Sequence, residues 1–118
     1  MFLDIKSKAI RFTGRWDTNG DCAITTAPGG MIEVAYKGKA AVLKFNTEMN
    51  MNPYPHLWIQ VDGGAKVETA VDRVIRIEAP EDGNHVIKVI YKSAVEIQHR
   101  WYGPLIGKLC FMGAEVYG

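Results

Sequence analysis

Hydrophobic and polar residues alternate with a period of two along most of this chain, and helical periodicity is nearly absent. Residues 31–36 place Ile32, Val34 and Tyr36 on one face. Ala41, Leu43 and Phe45 alternate with Val42, Lys44 and Asn46, and Leu57, Ile59 and Val61 with Trp58, Gln60 and Asp62. Residues 74–78 form another candidate strand with Ile75 and Ile77 inward. Residues 85–92 form the longest, carrying Ile87, Val89 and Tyr91 on one side. Residues 109–116 close the chain with Leu109, Phe111 and Met112 packed. Such alternation lays one side of each strand on a core and leaves the other against solvent.

Turn-forming residues punctuate these runs. Asn19-Gly20, Gly29-Gly30, Lys37-Gly38, Asp62-Gly63-Gly64 and Asp82-Gly83 offer the positive-φ positions that tight turns use. Pro53, Pro55 and Pro104 mark loops, because a proline inside a sheet removes a ladder donor. The stretch 93–103 is less regular and has room for one helical turn. Many short strands at this spacing predict an all-β, antiparallel, two-sheet β-sandwich rather than alternating strands and helices. The 118 residues fit one domain, 1–118, long enough to bury a core without staples.

Composition narrows the functions. A net charge of +1 points to neither nucleic acid nor an acidic membrane surface as a partner. The basic residues Lys37, Lys39, Lys44, Arg73, Arg76, Lys88 and Lys92 alternate with apolar ones, as on a solvated strand face. No apolar run approaches the roughly 20 residues that span a bilayer. The first residues lack the basic and apolar regions of a signal peptide. A cytoplasmic protein is expected if Met1 is the native start, and a secreted one if a leader was removed. Cys22 and Cys110 are too few and too far apart in sequence for a zinc site or a redox pair, and a disulfide between first and last strands stays open.

Catalytic motifs are missing. The only serines, Ser7 and Ser93, sit in Lys-Ser-Lys and Lys-Ser-Ala, not in a Gly-x-Ser-x-Gly elbow or a Gly-Asp-Ser turn. Asp17, Asn19 and Asp21 match the first, third and fifth positions of a calcium loop. Cys22 then stands where the turn glycine belongs and Pro28 where the bidentate glutamate belongs, so the reading is a polar turn. No metal or cofactor is called for, and no catalytic residue is assigned.

Three stretches concentrate aromatic, histidine and arginine side chains: Arg15-Trp16, the run with Tyr54, His56 and Trp58, and His99-Arg100-Trp101-Tyr102. Aromatic rings stack on the apolar faces of sugars while arginine and histidine bond hydroxyls, so these nine residues are candidates for ligand or domain contact. Trp58 belongs on the outward side of its strand. A tryptophan can equally plug the open end of a sandwich with its indole N–H on a carbonyl, a reading that stands beside ligand contact for Trp101 and Tyr102. His85, after Asp-Gly-Asn, reads as a packing and turn-anchoring residue.

Four segments carry a resemblance. They are Arg11-Phe12-x-Gly14-Arg15-Trp16 followed by Gly29-Gly30; Leu57-Trp58-Ile59-Gln60-Val61-Asp62-Gly63; Gly83-Asn84-His85-Val86-Ile87-Lys88-Val89; and Gly107-Lys108-Leu109-x-Phe111-x-Gly113-x-Glu115. In order and spacing they resemble the N-terminal jelly-roll domain of carbohydrate esterase family 2 and related SGNH (GDSL-type) hydrolases. The resemblance implies a non-catalytic accessory domain. Its partner would be a C-terminal SGNH hydrolase domain of the same polypeptide, which carries the catalytic serine and which it helps to present with acylated carbohydrate. A freestanding lectin-like binding or interaction module is the alternative.

Overall fold

The structure, a computed structural model, describes residues 1–25, 29–47, 56–93 and 109–117. Among them are eight strands and no helix: β1 (Phe2–Leu3), β2 (Ile10–Thr13), β3 (Ala23–Thr25), β4 (Met31–Phe45), β5 (His56–Val61), β6 (Val67–Ala70), β7 (Val74–Ser93) and β8 (Leu109–Tyr117). All pairings are antiparallel, so the expected all-β class holds.

The two layers are made by folding one hydrogen-bonded sheet over on itself. Its order is β1-β8-β4-β7-β5-β6, with β2 added to β4 and β3 to β8. The long strands β4 and β7 run side by side through both layers. The first half of β4 pairs with β2 and the second half of β7, and its second half with β8 and the first half of β7. The ribbon bends where Gly38 faces Gly83. The next pair is Ala40 with Glu78, so Lys39 alone opposes residues 79–82. Pro80 lies in this bulge, where no ladder donor is required.

This bend corrects the expectation that Lys37-Gly38 and Asp82-Gly83 are turns between separate strands. Glycine is needed at position 38 because the backbone of β8 crosses it: a Cβ there would lie 2.6 Å from the Tyr117 carbonyl oxygen. Met112 is a second correction. Lys44 pairs with Gly113 and Phe45 with Phe111, so Met112 is the extra residue of a bulge and its side chain is 40% exposed. At Asp62-Gly63-Gly64 the expected turn is present. Asp62 and Gly63 have φ of 52° and 74°, and the Gly64 N–H donates to the Val61 carbonyl at 2.9 Å.

The alternating residues form one contiguous core. Ile32, Val34, Leu57, Ile87, Val89 and Tyr91 from one layer meet Leu43, Phe45, Leu109 and Phe111 from the other. Burying each such side chain contributes about 1.5–3 kcal/mol. Phe111 joins the layers at one end of the sandwich, with its ring centroid 5.3 Å from that of Phe45 and 6.2 Å from that of Phe12.

Ile75 and Ile77 are only half-buried. They line a groove of about 370 Å³ between the layers, opposite Ile59, Val61 and Val67. Cys22 and Cys110 are both half-buried thiols, and no disulfide joins them.

Candidate ligand and domain-contact surface

The structure separates the sequence candidates by environment. Trp16 follows β2 and turns back over the end of the sandwich. Its indole N–H donates to the Thr13 carbonyl at 2.9 Å, its ring lies over Gly30, and it tilts against Phe12 with centroids 5.1 Å apart. Through Phe12 it joins the Phe111–Phe45 stack and packs against the core. The neighbouring Arg15 is exposed beside an open depression of about 610 Å³, which Trp16 itself lines together with Asp17, Asn19 and Thr25. The Asp17 region is a polar turn: Asp17 exchanges backbone hydrogen bonds with Ile24, and its carboxylate accepts the Asn19 N–H at 3.1 Å. Among the described residues no three acidic, histidine or cysteine side chains converge as a metal site would require.

Trp58 behaves differently. The alternation of β5 points Leu57 and Ile59 into the core and His56, Trp58 and Gln60 onto the outer face of the layer. Trp58 lies in register with Glu68 of β6 on one side and Ile90 of β7 on the other. Ile90 is in turn in register with Met31, and Met31 with Thr13. Trp58, Ile90 and Met31, all half-buried, thus make an apolar ridge across three strands. The adjacent row, Gln60, Lys88, Glu33 and Arg11, is polar throughout.

One end of the ridge is held by a charged cluster. The Glu68 carboxylate Oε2 accepts from Lys92 Nζ at 2.8 Å and from His56 Nδ1 at 2.9 Å. These bonds, the lysine's first, lower the Glu68 pKa below its ordinary 4.5. The Lys92 ammonium also lies 5.2 Å from the Trp58 ring centroid, a cation–π distance. Two other members of the basic set repeat the contact on the other layer, Lys44 over Phe2 and Arg76 over Tyr117, each at 5.5 Å. These cations are therefore spread over both layers, each on its own ring.

Glu68 and Lys92 were not candidates from sequence. β6 is an exposed edge strand without alternation, and only its register against β5 brings Glu68 beside Trp58. Tyr54, His99, Arg100, Trp101 and Tyr102 lie outside the described residues, as do Pro28, Pro53, Pro55, Pro104 and residues 94–103 of the irregular stretch.

His85 sits at the opposite end of the layer as an anchor. Its Nδ1 lies 2.5 Å from Asp62 Oδ2 and its Nε2 2.7 Å from the Glu81 carbonyl oxygen. Both partner atoms offer acceptors, so the site favours the doubly protonated ring, in which both nitrogens donate. The bond to Asp62 and then that to Glu81 raise its pKa above the ordinary 6.5. Asp62 is lowered in turn by His85 and by the Val86 N–H, which donates to Oδ1 at 2.8 Å. This ties the β5–β6 turn onto β7. Tyr36, whose ring centroid is 5.5 Å from that of His85, carries a buried hydroxyl without a hydrogen-bond partner.

Comparison with known proteins defines the class at the level of fold. No family model matches the chain, and no curated protein matches it in sequence. Among solved structures it is similar to a family two carbohydrate esterase from Cellvibrio japonicus, at 16% identity and a TM-score of 0.72. The match covers 97% of this chain and 32% of that one. A two-domain esterase active on acetylated mannans matches at 15% identity and a TM-score of 0.71, over 97% of this chain and 34% of its own. A salicylyl-acyltransferase from a tetracycline biosynthetic pathway matches at 11% identity and a TM-score of 0.62, over all of this chain and 40% of its own. The chain thus has the fold of one part of family 2 carbohydrate esterases and spans about a third of their length.

Proposed function

We propose that this chain is the N-terminal, non-catalytic accessory domain of an SGNH (GDSL-type) esterase, packing on a hydrolase domain and helping to present acylated carbohydrate to it. The observation that carries this reading is the extent of the fold match, nearly all of this chain against about a third of an esterase. The Trp58–Ile90–Met31 ridge, edged by Glu68, His56 and Lys92, supports a contact role, since a flat apolar strip with a polar rim suits a domain surface or a sugar ring. The fold match to an acyltransferase is compatible with an acyl group other than acetyl.

Two measurements test the reading. The coding sequence downstream of Gly118 should continue into a Gly-Asp-Ser motif, and a stop codon there would favour a freestanding lectin-like module instead. Titration of the chain with manno-, xylo- and cello-oligosaccharides, followed by tryptophan fluorescence, tests presentation. A response abolished by Trp58→Ala supports a sugar-contacting ridge; silence at millimolar sugar leaves only the packing role.

A further inference from the structure

The first half of β7 is a sheet edge whose backbone is poised to pair. β4 lies on one side of residues 74–78, and no strand among the described residues pairs on the other. Which backbone groups face that open side follows from the ladder. The Phe45 N–H donates to the Arg73 carbonyl at 2.9 Å, so Phe45 and Arg73 are a hydrogen-bonded pair. Hydrogen-bonded and non-hydrogen-bonded pairs alternate along an antiparallel ladder. Ile75 and Ile77 therefore bond to Leu43 and Ala41 of β4. The N–H and C=O groups of Val74, Arg76 and Glu78 point outward.

The side chains of this edge are self-complementary in one register. Arg76 and Glu78 lie on the outer surface, with their charged groups 3.0 Å apart. Ile75 and Ile77 lie on the groove side. When a second copy pairs antiparallel across a two-fold axis at Ile77, Arg76 of each copy falls opposite Glu78 of the other. Those are residues whose backbone groups point outward, so each such pair exchanges two hydrogen bonds. On the groove side Ile77 meets its own copy, and Ile75 meets Ala79. Centring the axis on Arg76 instead would set two guanidinium groups against each other, a destabilising like-charge pair. Hydrogen-bond phase is satisfied with the axis on either residue, and charge selects the register centred on Ile77.

We infer that the chain self-associates into a two-fold dimer by antiparallel pairing of the β7 edge at residues 74–78, with Arg76 and Glu78 of the two copies as the matched pairs. An unprotected edge strand is a ready template for another chain, and an isologous contact closes at two copies rather than growing into a fibre. The inference does not depend on the accessory-domain reading, because it uses only this edge.

Sedimentation of the 118-residue chain over a concentration series tests it. The wild type should shift toward twice its 13.1 kDa mass as concentration rises. Arg76→Glu and Glu78→Arg, both at exposed positions, should each remain monomeric over the same range, with circular dichroism reporting that they are folded. The double charge swap Arg76→Glu/Glu78→Arg restores the match and should recover the dimer. A wild type that stays monomeric throughout would overturn the inference. So would association that both single variants leave unchanged, or a double swap that fails to recover it.

Discussion

Replacing Trp16 separates a structural tryptophan from an available one. A tryptophan or phenylalanine deleted from a packed core costs about 3–5 kcal/mol. Trp16 is half-buried, so roughly half of that range, about 2 kcal/mol, belongs to its ring. The indole N–H bond to the Thr13 carbonyl adds about 1 kcal/mol. Trp16→Ala should therefore destabilise the chain by about 3 kcal/mol, and Trp16→Phe, which keeps a ring but no donor, by about 1 kcal/mol. With a urea slope of about 2 kcal/mol/M, the unfolding midpoint should fall by about 1.5 M for alanine and about 0.5 M for phenylalanine. Far-ultraviolet circular dichroism is the suitable probe, since it does not depend on the ring removed. An alanine variant within about 0.5 kcal/mol of wild type, the range of ordinary surface substitutions, would refute the packing argument and return Trp16 to the candidates for contact.

Three further outcomes follow from the geometry. Tyr36→Phe removes a buried hydroxyl that has no partner and should stabilise the chain by about 1 kcal/mol in urea unfolding; a loss of stability would contradict the unpaired state. Gly38→Ala forces a Cβ against the Tyr117 carbonyl and should lower stability by about 1–3 kcal/mol in thermal unfolding, while an unchanged midpoint would mean that the crossing of β8 over the bend is looser than described. The His85–Asp62 pair should make stability depend on pH at both ends. Because the folded His85 pKa is raised, its contribution is complete below about 6.5 and fades as pH rises through the folded value. Because the folded Asp62 pKa is lowered, its contribution is present above the ordinary 3.8 and is lost as pH falls through the folded value. The stability difference between wild type and His85→Gln should therefore be largest at mildly acidic pH and shrink above neutrality; a difference independent of pH would show that His85 is not held as an imidazolium.

Alternation carried most of the fold because a period of two decides which side chains face the core. It placed Ile32, Val34, Leu43, Phe45, Leu57, Ile87 and Val89 inward, and they are buried. It failed where an element has no apolar face to declare. β6 is an edge strand whose residues are mostly exposed, and β1 has two residues. Glycine misled at 38 and 83, since the same residue serves a chain reversal and a bent strand crossed by another backbone; only the long-range pairing of β4 with β7 tells them apart. Met112 is outward because it follows the phase set by Leu109 and Phe111, and the bulge shifts the phase only beyond it, where Ala114 and Val116 are buried. For the candidate surface, the outward direction of Trp58 was legible from β5 alone. Its neighbours Glu68, Ile90 and Met31 were not, because each arrives through a cross-strand register that no local pattern encodes.

The two described tryptophans of the candidate stretches lie in different environments, told apart by what each ring's polar and apolar surface already touches. Trp16 has its donor on a carbonyl and its ring against Phe12, Gly30 and the core, and what remains of its surface lines, with Arg15, the open depression at that end. Trp58 instead stands on the outer face, in line with two apolar residues, and Lys92 is the cation over its ring. A sugar stacking on that face must displace the lysine, whose other hold is the Glu68 carboxylate shared with His56. Exposed ion pairs of this kind contribute little to stability, so the lysine can swing aside at small cost while its charge remains near a ligand's hydroxyls. The cluster is thus better suited to a contact made and released than to holding the fold together, whereas the Trp16 end is tied into the core.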